Sequence, residues 1–225
     1  MIFFDIDDTL TDSNRGHLVA IRTLLVELEV DSDPQRAMTE PWFHLMDDYL
    51  DRYFKNELTL DEQRCGRVID FFRLYGIQIS ADRARDLYAQ YHKIFLANCL
   101  LFDDVLLALS RLKGCPLGVI SNGVTVDQHY KLANNGLASY FSPIVISDAI
   151  GIAKPNTDIF AKAASMVNRS VADCIYIGNS YELDYLGAKN AGMKSCWLNR
   201  QQIGGARANQ GSPTLTAIVD EIVRS

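Results

Sequence analysis

The chain has 225 residues, and at roughly 150 residues per domain this length predicts one full domain that carries a smaller second one. The chain has 22 lysines and arginines against 28 aspartates and glutamates, a formal charge of −6. This balance excludes the electrostatic basis of a sequence-independent binder of nucleic-acid polymers or of anionic membranes. The 48% of hydrophobic residues is ordinary for a globular chain, and no apolar run approaches the length of a membrane span.

The start of the chain favours a cytoplasmic protein. Met1–Phe4 is a short apolar run that carboxylates follow at once, without the basic start and long apolar stretch of a signal peptide. The five cysteines are odd in number and scattered, and no two form a C-x-x-C pair. This usage is more typical of reduced core thiols than of a disulfide framework or a zinc site.

Five short apolar runs each stop at a polar or glycine residue, which is typical of buried parallel strands. They are Ile2–Phe4, Leu117–Ile120, Ile144–Ile146, Ile175–Ile177 and Cys196–Leu198. Segments with helical spacing separate the later runs, and one of them places Val105, Leu106, Leu109 and Leu112 on one face. This alternation predicts an α/β fold with a doubly wound, Rossmann-like parallel sheet, in which ligands bind beyond the carboxyl ends of the strands.

Residues 14–99 break this alternation, because they show amphipathic helical patterns and no convincing strand. We therefore predict an inserted all-helical domain over 14–99, and an α/β core domain made of 1–13 and 100–225. Five aromatic residues of the insertion occur at spacings more typical of a helix core than of a platform for stacking a base: Trp42, Phe43, Tyr49, Tyr53 and Phe54.

The strongest local signal is Asp5-Ile6-Asp7-Asp8-Thr9, directly after the first predicted strand. Alternation along an extended chain points Asp5 and Asp7 the same way, whereas a turn that begins here separates them. Two carboxylates this close raise one another's pKa unless a cation lies between them. The pair therefore indicates a bound hard metal ion, a shared proton, or both. A solvated acidic turn is the alternative.

Three further signals follow later predicted strands. Ser121-Asn122-Gly123 offers a hydroxyl and backbone N–H groups to an oxyanion, and Lys154 offers a point charge to a phosphate or a carboxylate. The stretch Gly178 to Asp184 offers amide and carboxylate oxygens to a metal. Each alone is common as a turn, a solvated lysine or a capped helix start. Together, at one edge of one predicted sheet, they indicate a phosphate-handling aspartate enzyme.

The four signals, in this order, resemble the motifs of the haloacid dehalogenase superfamily of phosphohydrolases. The matching segments are Asp5-Ile6-Asp7-Asp8-Thr9-Leu10, Val119-Ile120-Ser121-Asn122-Gly123, Ala153-Lys154-Pro155 and Ile177 to Asp184. The insertion is similar to the helical C1 cap of that superfamily. Two stretches, Ile146 to Asn156 and Ser195 to Asn199, are similar to its bacterial pyrimidine 5′-nucleotidase branch.

The resemblance implies a role for each motif residue. Asp5 attacks phosphorus and forms an aspartyl-phosphate, while Asp7 protonates the leaving oxygen and then deprotonates water, so its pKa is expected above that of Asp5. Mg²⁺ is held by the Asp5 carboxylate, the Asp7 backbone carbonyl and the fourth motif. The phosphoryl oxygens are bound by Thr9, Ser121, Asn122 through its backbone, and Lys154.

The fourth motif departs from the family pattern, since Gly178-Asn179 stands where Gly-Asp is usual. An amide oxygen is a weaker Mg²⁺ ligand than a carboxylate. Either Asn179 serves as a neutral metal ligand, or Asp184 takes over directly or through water, and Glu182 is the third candidate. A reduced affinity for the metal is expected in either case.

The function expected from the resemblance is Mg²⁺-dependent hydrolysis of a small phosphorylated metabolite, with nucleoside 5′-monophosphates as candidates, by a monomer or homodimer. Three alternatives stay open. A phosphomutase or phosphotransferase shares all four motifs, and a non-catalytic binding module shares the fold. A 2-haloacid dehalogenase is disfavoured, because breaking a carbon–halogen bond requires neither the proton donor Asp7 nor Mg²⁺.

Overall fold

A computed structural model describes residues 1–30, 39–205 and 210–224 of the chain. They belong to two compact units. The first, which we call the sheet unit, comprises Met1–Ser13 and Cys99–Ser225, and the second, the helical unit, comprises Asn14–Asn98. Cys99, expected as the last residue of the inserted domain, groups with the sheet unit.

The sheet unit is built on five parallel strands in the order β3-β2-β1-β4-β5. In chain order they are β1 Ile2–Phe4, β2 Leu117–Ser121, β3 Ile144–Ile146, β4 Ile175–Gly178 and β5 Lys194–Trp197. Four strands lie where the apolar runs predicted them, whereas β5 begins two residues before the run at Cys196. β1 lies at the centre, and its Phe4 pairs with Val119 on one side and Ile177 on the other. The predicted α/β class with a parallel sheet is confirmed.

Helices alternate with these strands and cover both faces of the sheet. Those that follow the helical unit are α5 Val105–Arg111, α6 Thr125–Asn134, α7 Ser147–Ile150, α8 Thr157–Met166, α9 Gly187–Asn190 and α10 Leu215–Arg224. A 3₁₀ turn at Val171–Asp173 precedes β4, and a π-helical turn at Tyr181–Leu186 precedes α9. Among the described helices, none is long and apolar enough to cross a membrane.

Two apolar clusters hold the sheet between its helices, because successive strand residues face opposite sides. Phe4 packs with residues of α5 and α10, while Phe3 packs with residues of α8 and with Tyr176 of β4. One predicted core position is wrong: Leu106 is 54% exposed. α5 buries Val105, Ala108 and Leu109, and a residue directly after Val105 is rotated about 100° away from that face.

The described part of the helical unit contains four helices: α1 Ser13–Glu27, α2 Glu40–Phe54, α3 Leu60–Arg73 and α4 Ala81–Asn98. α1 begins at Ser13, the last residue of the first segment of the sheet unit. Its core is aromatic. Trp42 is fully buried and makes edge contacts with the rings of Phe71 and Tyr91. Tyr49 is also buried, whereas the side chain of Phe54 lies outside the described residues.

Candidate active site

The chain turns sharply after β1, and this turn separates Asp5 from Asp7. The carbonyl oxygen of Ile6 accepts the backbone N–H groups of Leu10 at 2.9 Å and Thr11 at 3.0 Å. Asp8 adopts a left-handed conformation with φ of 55°, which aspartate tolerates better than most residues. Asp5 and Asp7 consequently contact different side chains.

Asp5 lies in a buried group of polar side chains that we call the Asp5 cluster: Asp5, Ser121, Lys154, Tyr176 and Asp184. Asp5 Oδ1 accepts hydrogen bonds from Lys154 Nζ at 2.7 Å and from Ser121 Oγ at 2.9 Å. Lys154 Nζ also donates to Asp184 Oδ1 at 2.6 Å and to the Tyr176 hydroxyl at 2.9 Å. One ammonium group is therefore shared by two buried carboxylates.

Asp184 fits into this cluster because Gly178, at the end of β4, has no side chain. A Cβ atom on Gly178 would lie 2.4 Å from Asp184 Cγ. Asp184 Oδ2 accepts the backbone N–H of Ser180 at 2.8 Å, and the Ser180 hydroxyl in turn caps the π-helical turn by accepting the N–H of Leu183. Both carboxylate oxygens of Asp184 are thus occupied by hydrogen bonds inside the protein.

Burial dominates the electrostatics of Asp5. Its side chain is 7% exposed, and removal from water raises the pKa of its carboxyl from 3.8 to about 6. The positive charge of Lys154 opposes this shift, while the nearby charges of Asp184 and Asp7 add to it. The charge of Lys154 therefore does not offset the burial of Asp5.

Asp7 belongs to a second group, the Asp7 cluster: Asp7, Ser13, Gln128 and Lys131. Lys131 Nζ, on α6, lies 2.5 Å from Asp7 Oδ1, and the Ser13 hydroxyl donates to the same oxygen. Gln128 Nε2, one turn earlier on α6, donates to Asp7 Oδ2 at 2.7 Å. The Asp7 side chain is 33% exposed, whereas that of Lys131 is 4% exposed.

The expected order of the two pKa values is wrong in this arrangement. Burial by itself raises the pKa of Asp7, but the charge of Lys131 and the hydrogen bonds from Lys131, Ser13 and Gln128 outweigh it and lower the pKa to about 2. The pKa of Asp7 therefore lies below that of Asp5, not above it. The physical reason is that Asp7 has a lysine of its own, which the sequence patterns did not indicate.

The predicted phosphate-binding residues converge on Asp5. Thr9 is fully buried, and its hydroxyl lies 3.5 Å from Asp5 Oδ2. The Asn122 side chain makes two hydrogen bonds to the backbone of Lys154: its Oδ1 accepts the Lys154 N–H at 2.8 Å, and its Nδ2 donates to the Lys154 carbonyl at 3.0 Å. Asn122 thereby ties the loop that carries Lys154 to the end of β2.

The fourth motif supplies an oxygen donor from Asn179. Its Oδ1 lies 3.3 Å from the Thr9 hydroxyl, the same hydroxyl that approaches Asp5 Oδ2. Trp197 Nε1 donates to the Asn179 carbonyl at 2.9 Å and so holds this segment against β5. Asp5 Oδ2 and Asn179 Oδ1 are hard oxygen donors that share one neighbour, and this set fits Mg²⁺.

The other two candidate ligands of the fourth motif are placed differently. Both oxygens of Asp184 already accept hydrogen bonds from Lys154, Tyr176 and Ser180, and Glu182 is exposed. Across the described ranges, no group of three or more histidine, cysteine, aspartate or glutamate side chains is arranged around a metal position. Of the three candidates in the fourth motif, Asn179 is the one whose side-chain oxygen shares the Thr9 hydroxyl with Asp5.

Four residues of the two clusters were missed by sequence reasoning: Ser13, Gln128, Lys131 and Tyr176. Tyr176 lies inside an apolar strand run and looks like an ordinary core residue, yet its hydroxyl is 2.8 Å from the Ile120 carbonyl and 2.9 Å from Asp184 Oδ1. Gln128 and Lys131 look like solvated positions on a surface helix. Gln128 and Lys131 lie three residues apart and therefore on one face of α6, but a solvated helix face shows the same spacing.

Comparison with known proteins identifies the family of the chain. A model of the haloacid dehalogenase-like hydrolase family matches residues 1–192. The chain is 31% identical over 208 residues to a glyceraldehyde 3-phosphate phosphatase of Methanothermobacter thermautotrophicus, covering 89% of this chain and 85% of that protein. It is 36% identical over 103 residues to the pyrimidine 5′-nucleotidase YjjG of Escherichia coli, covering 45% and 46%.

The fold agrees with the same family. The crystal structure of the HAD-hydrolase YfnB of Bacillus subtilis bound to magnesium superposes with a TM-score of 0.83 at 22% identity, covering 98% of this chain and 97% of that one. The parallel sheet and the aspartate pair at the carboxyl end of β1 define the class of protein as a phosphohydrolase. The chain belongs to the haloacid dehalogenase-like hydrolase family, and the prediction that it is a phosphatase of that family is confirmed.

Proposed function

We propose that this protein is a Mg²⁺-dependent phosphohydrolase that cleaves a small phosphate monoester through an aspartyl-phosphate on Asp5. The observation that carries the proposal is the separation of Asp5 and Asp7 within one turn. Asp5 is buried against Lys154 and Ser121, while Asp7 is one-third exposed and held by Lys131. Two carboxylates in different surroundings suit two different tasks.

In the first half of the reaction, the Asp5 carboxylate attacks phosphorus. The bond from phosphorus to the leaving oxygen breaks, and this oxygen takes a proton from the Asp7 carboxyl group. Lys154, Ser121 and the Asn122 backbone bind the phosphoryl oxygens, where the negative charge is concentrated. Lys154 also limits repulsion between the substrate and the two buried carboxylates that it already contacts.

In the second half, water attacks the phosphorus of the phosphoryl-Asp5 group and gives its proton to the Asp7 carboxylate. The bond between Asp5 and phosphorus then breaks, and orthophosphate leaves. The described arrangement matches this half, because Asp7 is ionised beside Lys131 and is ready to accept a proton. For the first half, Asp7 must first take up a proton against the charge of Lys131.

Mg²⁺, when bound, neutralises negative charge on the phosphoryl group and on Asp5. We assign its protein ligands to the Asp5 carboxylate, the Asp7 backbone carbonyl and Asn179 Oδ1. Asp184 is assigned to positioning Lys154, since both of its oxygens are occupied.

Replacing the amide by a carboxylate in Asn179→Asp should lower the Mg²⁺ concentration for half-saturation by about tenfold, because affinity rises with ligand charge. Calorimetric titration with Mg²⁺ measures this directly, and an unchanged affinity would remove Asn179 from the ligand set.

The substrate class is a small phosphate monoester. The relatives support two candidates: the nucleotidase YjjG suggests a nucleoside 5′-monophosphate, and the longer match to a glyceraldehyde 3-phosphate phosphatase suggests a triose phosphate. The residues around Asp5 contact only the phosphoryl group in the proposed reaction. We therefore assign the choice between these leaving groups to residues 14–99, as a helical cap domain.

The deciding experiment measures orthophosphate release from nucleoside 5′-monophosphates, triose phosphates and p-nitrophenyl phosphate, with Mg²⁺ and with EDTA. Release that requires the metal supports the proposal, and the preferred compound separates the two substrate candidates. Transfer of phosphate to an added alcohol or sugar, without orthophosphate release, would instead identify a phosphotransferase. No turnover of any kind would contradict the proposal.

Replacing the nucleophile should give the largest loss of activity. Asp5→Asn removes the attacking carboxylate, so turnover should fall by about 10⁴-fold or more, while the circular dichroism spectrum stays that of the folded protein. Asp103→Asn is the matched control, because Asp103 is exposed and lies outside both clusters. If Asp5→Asn keeps most of the activity, the aspartyl-phosphate mechanism is wrong.

A further inference from the structure

The Asp7 carboxylate is held at both of its oxygens by one face of α6. Lys131 binds Oδ1 at 2.5 Å and Gln128 binds Oδ2 at 2.7 Å, so the plane of the carboxylate cannot rotate without breaking a hydrogen bond. Lys131 is 3% exposed and Gln128 is 2% exposed. Buried polar groups on a helix need partners, and here both are directed at the same carboxylate.

The orientation of the Gln128 amide is itself determined by its surroundings. Nε2 lies 2.7 Å from Asp7 Oδ2 and 2.9 Å from the Asn122 carbonyl oxygen, which are both acceptors. The opposite orientation would place Oε1 against two acceptors. Oε1 is instead buried without a hydrogen-bond partner among the described residues, an unfavourable position that is offset by the contact with Asp7.

The backbone leaves room for this arrangement. Gly123, between β2 and α6, has φ of +135°, and a Cβ atom there would lie 2.6 Å from Gln128 Nε2. A residue with a side chain at position 123 would therefore displace the amide from Asp7. The loop that carries Asn122 and the helix that carries Lys131 are thus joined around one carboxylate.

We propose that Lys131 and Gln128 are positioning residues that hold the Asp7 carboxylate in the orientation it needs for proton transfer. This inference rests on the proposed function, because it gives Asp7 the proton-transfer role. Lys131 Nζ and Gln128 Nε2 both donate to the Asp7 carboxylate. We therefore expect their effect on catalysis to pass through Asp7.

The test is a double-mutant cycle with p-nitrophenyl phosphate as substrate. This leaving group departs without a proton, so hydrolysis of the phosphoryl-Asp5 group is the step that depends on Asp7. Lys131→Met should lower the steady-state kcat by about 30-fold, less than the roughly 10²- to 10⁴-fold that general acid–base catalysis supplies, because Asp7 stays in place and keeps its hydrogen bonds from Ser13 and Gln128. In an Asp7→Asn background, the same replacement should change kcat by less than about twofold.

Two further readouts separate positioning from a general loss of structure. In Lys131→Met, p-nitrophenolate should appear in an initial burst of about one per enzyme before the slow steady state, because the first half of the reaction continues. A partly unfolded variant would show a smaller burst in proportion to its lost kcat. Lys131→Arg should recover most of the activity, and Lys113→Met, at an exposed position, should match the wild type.

A readout independent of turnover keeps the inference testable if the proposed function fails. The unfolding equilibrium constants of Asp7→Asn, Lys131→Met and the double variant should be non-additive by at least about tenfold, since each single variant leaves the other group without its partner. Additive unfolding, a kcat loss that persists in the Asp7→Asn background, or a wild-type kcat in both Lys131→Met and Gln128→Met would each overturn the proposal. Absence of metal-dependent phosphate release by the wild type would instead count against the proposed function, while non-additive unfolding would still show that Lys131 holds Asp7.

Discussion

The Asp5 cluster and the Asp7 cluster both pair an aspartate of the same turn with a buried lysine, yet the pKa values of the two aspartates shift in opposite directions. Lys154 divides its charge between Asp5 and Asp184, and all three side chains are 7% exposed or less. Lys131 serves Asp7, whose side chain is 33% exposed. Burial raises the pKa of both carboxyl groups, so the comparison teaches that the number of carboxylates per cation and the hydrogen bonds that each carboxylate accepts decide the direction of the shift, not the presence of an ion pair.

The largest expected effect of a single lysine replacement comes from Lys154→Met. It leaves two buried carboxylates without their cation, which should lower the free energy of unfolding by about 3–5 kcal/mol. Lys131→Met should cost less, about 1–3 kcal/mol, because Asp7 is partly hydrated and keeps the hydrogen bonds from Ser13 and Gln128. Urea denaturation of both variants, with Lys113→Met as the control, measures the difference.

Equal losses for the two lysine variants would break the comparison between the clusters, because they would show that water reaches Asp5 as readily as it reaches Asp7. A larger loss for Lys131→Met would show that the Asp7 cluster, and not the Asp5 cluster, contains the less hydrated carboxylate.

The pH dependence of stability should separate the two aspartates next. For the metal-free protein, the folded-state pKa of Asp5 is raised from 3.8 to about 6, so its contribution to stability falls as the pH rises from about 4 to about 6. The pKa of Asp7 is lowered from 3.8 to about 2, so its contribution is present above about pH 4 and is lost as the pH falls towards 2.

Urea unfolding between pH 2.5 and 7 in EDTA checks both signs, with pH values of about half-unit spacing. Relative to Asp5→Asn, the wild type should lose about 2 kcal/mol between pH 4 and 6, since the whole shift of the Asp5 pKa corresponds to about 3 kcal/mol and part of it falls outside this interval. Relative to Asp7→Asn, the wild type should lose stability below pH 4. If the unfolding free energies of both variants change with pH in parallel with that of the wild type over both intervals, the opposite pKa shifts of Asp5 and Asp7 are contradicted.

The smallest expected effect comes from Tyr176→Phe, which removes one hydroxyl from the Asp5 cluster. The Ile120 carbonyl and Asp184 each lose a neighbouring hydroxyl, and Lys154 loses an acceptor. Thermal denaturation should show a loss of about 1–2 kcal/mol, with turnover reduced less than in Lys154→Met. Tyr140→Phe, at an exposed residue, is the control.

A stable Tyr176→Phe variant without turnover would sharpen the comparison in a different way. It would mean that Tyr176 affects the reaction through Lys154 more than it affects folding. The Tyr176 hydroxyl would then position Lys154 in the Asp5 cluster, as Gln128 positions Asp7 in the Asp7 cluster.

The convergence of Asp5, Ser121 and Lys154 could be predicted because it follows from strand order. Asp5 directly follows β1, Ser121 is the last residue of β2, and Lys154 lies beyond β3 and α7. The carboxyl ends of parallel strands meet at one edge of the sheet. Asp184 was predicted as a metal ligand, but the structure shows its oxygens bound to Lys154, Tyr176 and the Ser180 backbone. The spacing of the fourth motif indicated that Asp184 belongs to the site, but it did not indicate which residues Asp184 contacts there.

The roles of Gln128 and Lys131 could not be predicted in the same way. On an isolated helix, a glutamine and a lysine at this spacing are most simply a solvated face, and nothing local distinguishes them from such a face. Tyr176 was hidden for the opposite reason, because an aromatic residue inside an apolar strand fits a core position.

The amino-acid sequence by itself determined the alternation of strands and helices, the insertion after β1 and the four motifs, because these depend on local periodicity and on the order of residues along the chain. Only the tertiary structure decided which lysine each aspartate receives. Lys131 is 124 residues away from Asp7, and Lys154 is 149 residues away from Asp5. Burial and charge pairing depend on how α6 and the Lys154 loop pack against the turn after β1, and these two quantities determine both pKa values.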